Sequence, residues 1–164
     1  MDCNVDRCRK KHRSHYCRLC EDKDSDHFAS ECPKSRTLYH GTRIRAVAPI
    51  AKKGLKESDD GRLGGGVYFV KNLENAIKIS EHRQDGDDDN DYAVVIKCQV
   101  YMGDHKHLER NEEDDEWQDD YDSACAMHPK WAGIPVNTSL SLYSAPSSFN
   151  LFLSFNFHIS SLSF

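Results

Sequence analysis

The chain has 164 residues, 38% apolar and 30% charged, with a formal net charge of −5 at pH 7. That mixture suits a globular domain with one core and excludes a collagen-like or fibrous chain. No run of about 18 apolar residues occurs, so no spanning helix and no membrane partner are expected. Met1 leads into Asp2, Cys3 and Asp6 rather than a basic and then apolar leader. An intracellular protein, nuclear or cytoplasmic, is therefore expected.

Charge divides the chain into three regions. Residues 1–36 carry +2, residues 37–128 carry −8, and residues 129–164 have Lys130 as their one charged side chain. Domain boundaries are accordingly expected at 1–36, 37–136 and 137–164. Five of the seven cysteines lie within the first 32 residues. An odd count behind no leader argues against a disulfide framework, and thiols near histidines in a reducing compartment read as a metal site.

The first region holds Cys17-x2-Cys20-x6-His27-x4-Cys32. Zinc takes four thiolate or imidazole ligands at the corners of a tetrahedron, and a C-x2-C turn sets two thiolates on one side. Glu21 to Asp26 are all polar, so this segment has little to bury and is expected to fold around Zn2+. The array resembles a CCHC zinc knuckle with a longer middle spacer. Ordinary reduced cysteines beside a histidine are the plainer reading.

Upstream, Cys3, Cys8, His12 and His15 offer either a second site or a basic arm. Arg7, Arg9, Lys10, Lys11, Arg13 and Arg18, with Tyr16 for stacking, would suit RNA or single-stranded DNA across residues 7–32. They would equally suit solvent or an acidic protein surface.

In the second region, Thr37 to Thr42 reads as a strand ending in a polar turn. Ile44 to Lys53 has apolar residues at Ile44, Val47, Ala48, Ile50 and Ala51, a helical spacing, with Gly54 as its stop and Pro49 inside. Four of the nine glycines fall in Gly61-Arg-Leu-Gly-Gly-Gly66, before the apolar strand Val67 to Val70. This loop is neither a Walker A motif nor G-x-G-x-x-G.

Leu73 to Ile79 is a second helix, with Leu73, Ala76 and Ile77 on one face. Asp85 to Asp91 reads as a solvated loop without the ligand spacing of a calcium-binding hand. Tyr92 to Met102 alternates as a strand, with Tyr92, Val94, Ile96, Cys98, Val100 and Met102 on the buried face and Lys97 and Gln99 toward solvent. Glu112 to Glu116, with Asp119 and Asp120, reads as another solvated loop. Cys98 and Cys125 stand isolated.

Leu38-Tyr-His-Gly-Thr42, Gly64-Gly-Gly-Val-Tyr-Phe69, the Val94–Tyr101 strand and Tyr121-Asp-Ser-Ala124 together resemble the catalytic domain of the poly(ADP-ribose) polymerase (PARP) superfamily. The likeness is closest to its small single-domain ADP-ribosyltransferases. The resemblance implies an α+β fold with a split β-sheet. It implies an enzyme that expels nicotinamide from NAD+ and passes ADP-ribose to a protein or nucleic-acid acceptor, singly rather than as a polymer. By match to the family's motifs, His40 and Tyr68 are the catalytic candidates, and His40, Gly41, Thr42, Gly66 and Tyr68 bind NAD+. His40 would hydrogen-bond the adenosine ribose, the Gly41 backbone would hold the carboxamide, and Tyr68 would stack on the nicotinamide.

Three positions depart from the family pattern. Ala76 and Ile79 stand where a serine and a second stacking tyrosine are common, and no carboxylate follows Asp122 to supply the third member of the usual triad. The alternative reading is an inactive module that binds NAD+, ADP-ribose or nucleic acid. The third region holds nine serines and five of the seven phenylalanines. It reads as an atypical tail that replaces the domain's own ending or supplies a substitute strand.

Overall fold

The computed structural model describes residues 8, 15–59, 61, 63–82, 91–108, 116–128, 140–145 and 151–154, with backbone alone for 127–128, 140–145 and 151–154. The expected site residues all fall inside these ranges. Cys3, His12 and most of the basic arm lie outside them.

Two strands, β1 (His15–Cys17) and β2 (Asp22–Ser25), form a small hairpin, followed by a 3-10 turn at Ala29–Glu31. Then come β3 (Ser35–Arg43), α1 (Ile44–Lys53), β4 (Val67–Val70), α2 (Leu73–His82) and β5 (Ala93–Tyr101). The chain continues with β6 (His105–Leu108), a 3-10 turn at Trp117–Asp119, β7 (Ser123–His128), β8 (Leu140–Ala145) and β9 (Leu151–Ser154). This is the α+β class that the motifs imply.

Strands β3 to β9 make one sheet in the order β6-β7-β8-β4-β3-β5-β9, antiparallel except for the parallel β6–β7 pair. Its two halves hardly touch. β3 and β5 run in register over nine residue pairs, from Ser35 with Tyr101 to Arg43 with Ala93. β3 and β4 share the single pair Tyr39 with Val70. The split in the sheet is thus a seam between β3 and β4. Segments of the expected tail are strands of this sheet: β8 joins β7 to β4, and β9 flanks β5.

Local sequence accounts for both helices. α1 ends where Gly54 takes a left-handed φ of +84° and its N–H closes on the Ile50 carbonyl, a conformation that favours glycine. Ile50 is its buried residue, with Ile44, Ala46 and Val47 packed beside it. Asn72 caps α2 by accepting the Glu74 amide at 2.9 Å. The buried face of α2 is Asn75, Ala76, Ile79 and Ser80 rather than Leu73, which is exposed.

The two faces of the sheet carry separate cores. Leu38, Ile50, Phe69, Val94, Ile96, Cys98 and Val100 pack on the α1 side. Leu63, Val70, Ala76, Ile79, Val95, Leu108 and Trp117 pack on the α2 side. β5 is therefore apolar on both faces at its centre, because α2 covers Val95 where alternation predicted solvent. Tyr92 lies outside β5 and is exposed.

Asp91, expected in a solvated loop, is buried. Its Oδ2 accepts from Arg43 Nε at 3.1 Å and pairs with Arg45 Nε at 3.3 Å, and Arg43 Nη1 reaches the Ser80 carbonyl at 3.5 Å. One carboxylate thus ties the end of β3, the start of α1 and the segment entering β5, while its guanidinium partner reaches the last turn of α2. Removing one member of a buried ion pair leaves an uncompensated charge. Asp91→Ala should lower stability by about 3–5 kcal/mol in denaturant titration.

Candidate active site and metal centre

His40 meets the main chain of Tyr68 across the seam, while the Tyr68 ring lies on the opposite, α2 face of the sheet and does not line the cavity beside His40. His40 Nδ1 donates to the Tyr68 backbone carbonyl at 2.9 Å, and its ring meets Phe69 edge-on at 6.0 Å between centroids. With the proton held on Nδ1, Nε2 of the neutral ring is the acceptor. His40 also borders a cavity of about 650 Å³ that runs along the end of α1 and the loop after it. Pro49, Ile50 and Leu55 give that cavity an apolar wall, Lys53 and Lys56 bring cations, and Glu57 and Asp59 bring carboxylates.

Gly41 follows on β3. A Cβ there would lie 2.5 Å from the Ala76 carbonyl oxygen and 3.1 Å from the Ser80 amide nitrogen. The close approach that demands glycine is that of the α2 backbone, whereas the family motif pointed to a ligand. Thr42 is buried at the next position.

The glycine loop folds back on Tyr68. The Tyr68 hydroxyl donates to the Gly64 carbonyl at 2.6 Å and accepts from the Leu63 amide at 3.0 Å. Gly66 pairs with Ser58 through both backbone hydrogen bonds, at 2.9 and 3.1 Å. Its φ of 149° is one that glycine reaches readily. A Cβ on Gly61 would collide with the Tyr68 hydroxyl, so that glycine gives the phenol its room.

The indole of Trp117 donates to the Leu63 carbonyl at 2.8 Å, and Gln118 donates to the Gly65 carbonyl. Ala76 and Ile79 sit in the same apolar cluster as Leu63 and Trp117, with Tyr68 packed against it. Sequence reasoning missed Trp117 because it sits among acidic residues, although a lone tryptophan inside a charged run is itself a signal of burial.

Cys17, Cys20, His27 and Cys32 converge, with their ligand atoms all within 4.8 Å of one another. Zinc–sulfur bonds of about 2.3 Å in a tetrahedron need ligand separations of about 3.8 Å. Cys20 Sγ and His27 Nε2 already stand 3.5 Å apart. His27 Nδ1 donates to Asp26 Oδ1 at 2.9 Å, which turns Nε2 into the metal-facing lone pair in the carboxylate–histidine arrangement common at zinc.

Burial pushes the Cys17 thiol up, but hydrogen bonds from the Cys20 and Leu19 amides and from the Cys20 and His27 side chains together outweigh it and bring it down to about 7. Burial pushes Cys32 up to about 12. Glu21 makes the turn behind Cys20 with a φ of 58°. These residues fit a tetrahedral zinc ion.

The hairpin is not a detached bead. Leu19 is buried with Cys17 and Cys32, and Tyr101 at the end of β5 packs against them. In the basic arm, Arg18 and Tyr16 are exposed. His15 turns its ring edge-on to Phe28 at 4.9 Å.

A seven-stranded split sheet with a His-Gly-Thr strand and a Gly-Val-Tyr-Phe strand facing across the split is the architecture of an ADP-ribosyltransferase-type domain. The family model of the poly(ADP-ribose) polymerase catalytic domain matches residues 8–132. The chain belongs to this family. The match begins ahead of the Cys/His cluster and so includes it. Among relatives, the mouse protein mono-ADP-ribosyltransferase PARP4 is 29% identical over 91 residues, which is 49% of this chain and 4% of the mouse protein. The chain thus spans a small fraction of that relative's length.

The metal site makes a direct prediction. Asp26→Asn keeps a side chain of the same shape but weakens the hold on His27, and should lower zinc affinity by about 10- to 100-fold. Competition with a chromogenic chelator reads that change. Equal affinities would mean that the Asp26 contact does not orient a ligand.

Proposed function

We propose that this chain is an NAD+-dependent ADP-ribosyltransferase that moves single ADP-ribose units to a macromolecular acceptor. The observation that carries the reading is His40, fixed by the Tyr68 carbonyl at the seam and bordering a 650 Å³ cavity with Lys53 and Lys56 on its wall. A cavity of this size holds a nucleotide-sized ligand.

In this reading, His40 Nε2 accepts from an adenosine ribose hydroxyl. Lys53 and Lys56 meet the diphosphate, and the apolar residues of α1 cover the adenine. The Gly41 and Thr42 backbone and the Tyr68 ring receive the nicotinamide end, with Gly66 shaping the strand entry. Loss of nicotinamide builds positive charge on the ribose, and an electron-rich ring and carbonyl groups nearby stabilise it. Single transfer agrees with the name of the mouse relative, a mono-ADP-ribosyltransferase.

Zn2+ at Cys17, Cys20, His27 and Cys32 holds the hairpin, and its three thiolate ligands need a reducing compartment such as the nucleus or cytoplasm. The exposed Arg18 and Tyr16 leave room for an RNA or protein acceptor beside the hairpin.

The test is release of labelled nicotinamide from NAD+ by zinc-loaded protein. Wild type should release it, and His40→Ala should release at least 100-fold less while keeping its thermal midpoint within a few degrees. Binding of NAD+ without release would instead establish the non-catalytic module. Binding of neither NAD+ nor ADP-ribose by folded protein would overturn both readings.

A further inference from the structure

Cys125 is not isolated. β6 and β7 run parallel, with His105 opposite Ser123 and His107 opposite Cys125. Alternate residues of a strand share a face, so these four side chains gather on one face at the β6 edge of the sheet. Cys125 Sγ lies 3.1 Å from His105 Nε2 and 3.0 Å from His107 Nδ1. His105 Nδ1 lies 2.8 Å from Ser123 Oγ, whose hydroxyl donates to the Met102 carbonyl at 2.7 Å.

The proton inventory settles the directions. Ser123 has one O–H proton, and the Met102 carbonyl takes it. Ser123 Oγ is therefore the acceptor from His105 Nδ1–H. In the neutral ring this makes His105 Nε2 the acceptor facing the Cys125 thiol. A nucleophile, a base within hydrogen-bond reach and a third group that orients the base form the arrangement of an activated nucleophile. On the other side of the sulfur, His107 Nδ1 is placed to donate as negative charge develops there.

The electrostatics fit that order. Burial holds His105 below the usual imidazole range, and Arg36 and His107 add to it. Burial pushes the Cys125 thiol up, with Arg36 partly offsetting it. At rest the pair is a neutral thiol beside a neutral base. Coordination of one metal ion is a poorer fit. The ring nitrogens lie 3.1 and 3.0 Å from the sulfur, in hydrogen-bond range and closer than the roughly 3.5 Å that separates an imidazole nitrogen from a thiolate on one tetrahedral zinc.

We propose that Cys125 is a base-assisted reactive thiol, oxidised by small hydroperoxides that reach it at the β6 edge of the sheet. Sulfur attacks the hydroxyl oxygen of the peroxide as His105 Nε2 takes the thiol proton. The O–O bond breaks, the leaving oxygen collects that proton from the imidazolium, and water or an alcohol departs. Sulfur is oxidised to the sulfenic acid, and the peroxide is reduced. Cys125 is 4% exposed, so the site selects reagents of peroxide size.

Cys98 supplies an internal reference. It belongs to the same core, is fully buried, and its thiol donates to the Ile96 carbonyl at 3.6 Å. Zinc-loaded full chain is treated with hydrogen peroxide, sulfenic acid is trapped with a dimedone probe, and each cysteine is quantified by mass spectrometry. Cys125 should be labelled at least tenfold faster than Cys98. His105→Gln should slow Cys125 by roughly 100-fold, the low end of general-base assistance, and leave Cys98 unchanged. Equal rates at the two wild-type cysteines, or an unchanged Cys125 rate in His105→Gln, overturn the proposal. A rise at Cys98 would report loss of fold. In that case Ser123→Ala takes its place, and no slowing of Cys125 there overturns the proposal as well.

Discussion

The seam between β3 and β4 is the constraint on which the candidate site depends. Two strands that pair at Tyr39 and Val70 and then part leave main-chain groups without a ladder partner. A buried carbonyl without a partner is costly. The His40 imidazole takes that place on the Tyr68 carbonyl. One hydrogen bond thus closes the sheet's accounting at the split, fixes which ring nitrogen carries the proton, and holds His40 at the edge of the cavity. An asparagine or glutamine there could donate to the carbonyl, but would present a different second group to a ligand.

The seam is held open from the other side by α2. Gly41 lets the α2 backbone lie against β3, since any Cβ would meet the Ala76 carbonyl. At the far end, the Arg43 guanidinium bonds both Asp91 and the last turn of α2. The helix is therefore gripped at two points along β3, one steric and one ionic, with His40 beside the first. Such tertiary contacts, rather than helix propensity, position a ten-residue helix, which is too short to be stable alone.

Local rules made a good part of this fold readable. Ile44 to Lys53 and its Gly54 stop are written in helical spacing and one glycine, and they stand where expected. The Cys/His cluster was readable because a C-x2-C turn and a nearby histidine are close in sequence. What escaped depends on contacts between distant segments. Val95 is buried because α2 crosses over it, Asp91 because Arg43 waits 48 residues earlier, and Trp117 because the glycine loop folds down to it. The Cys125 cluster needs the register of two parallel strands joined by a long connection, which no periodicity encodes. The tail's strands escaped for a related reason: short Ser- and Phe-rich runs acquire their partners only when the sheet exists.

The Cys/His hairpin and the seam are parts of one mechanical chain. Cys32 ends the ligand set, and its carbonyl accepts both the amide and the hydroxyl of Ser35, the first residue of β3. The Met102 amide bonds the Lys34 carbonyl, and Tyr101 packs on the buried thiols. A metal bound to Cys32 would therefore hold the start of β3, five residues before His40, together with the end of β5. Binding energy at a structural zinc is folding energy. A metal bound at this cluster would deliver it to β3 and β5, the longest-paired strands of the sheet, the first of which carries His40. The hairpin is in this sense part of the domain's frame. The Cys/His cluster and the strand that carries His40 lie within the same family match.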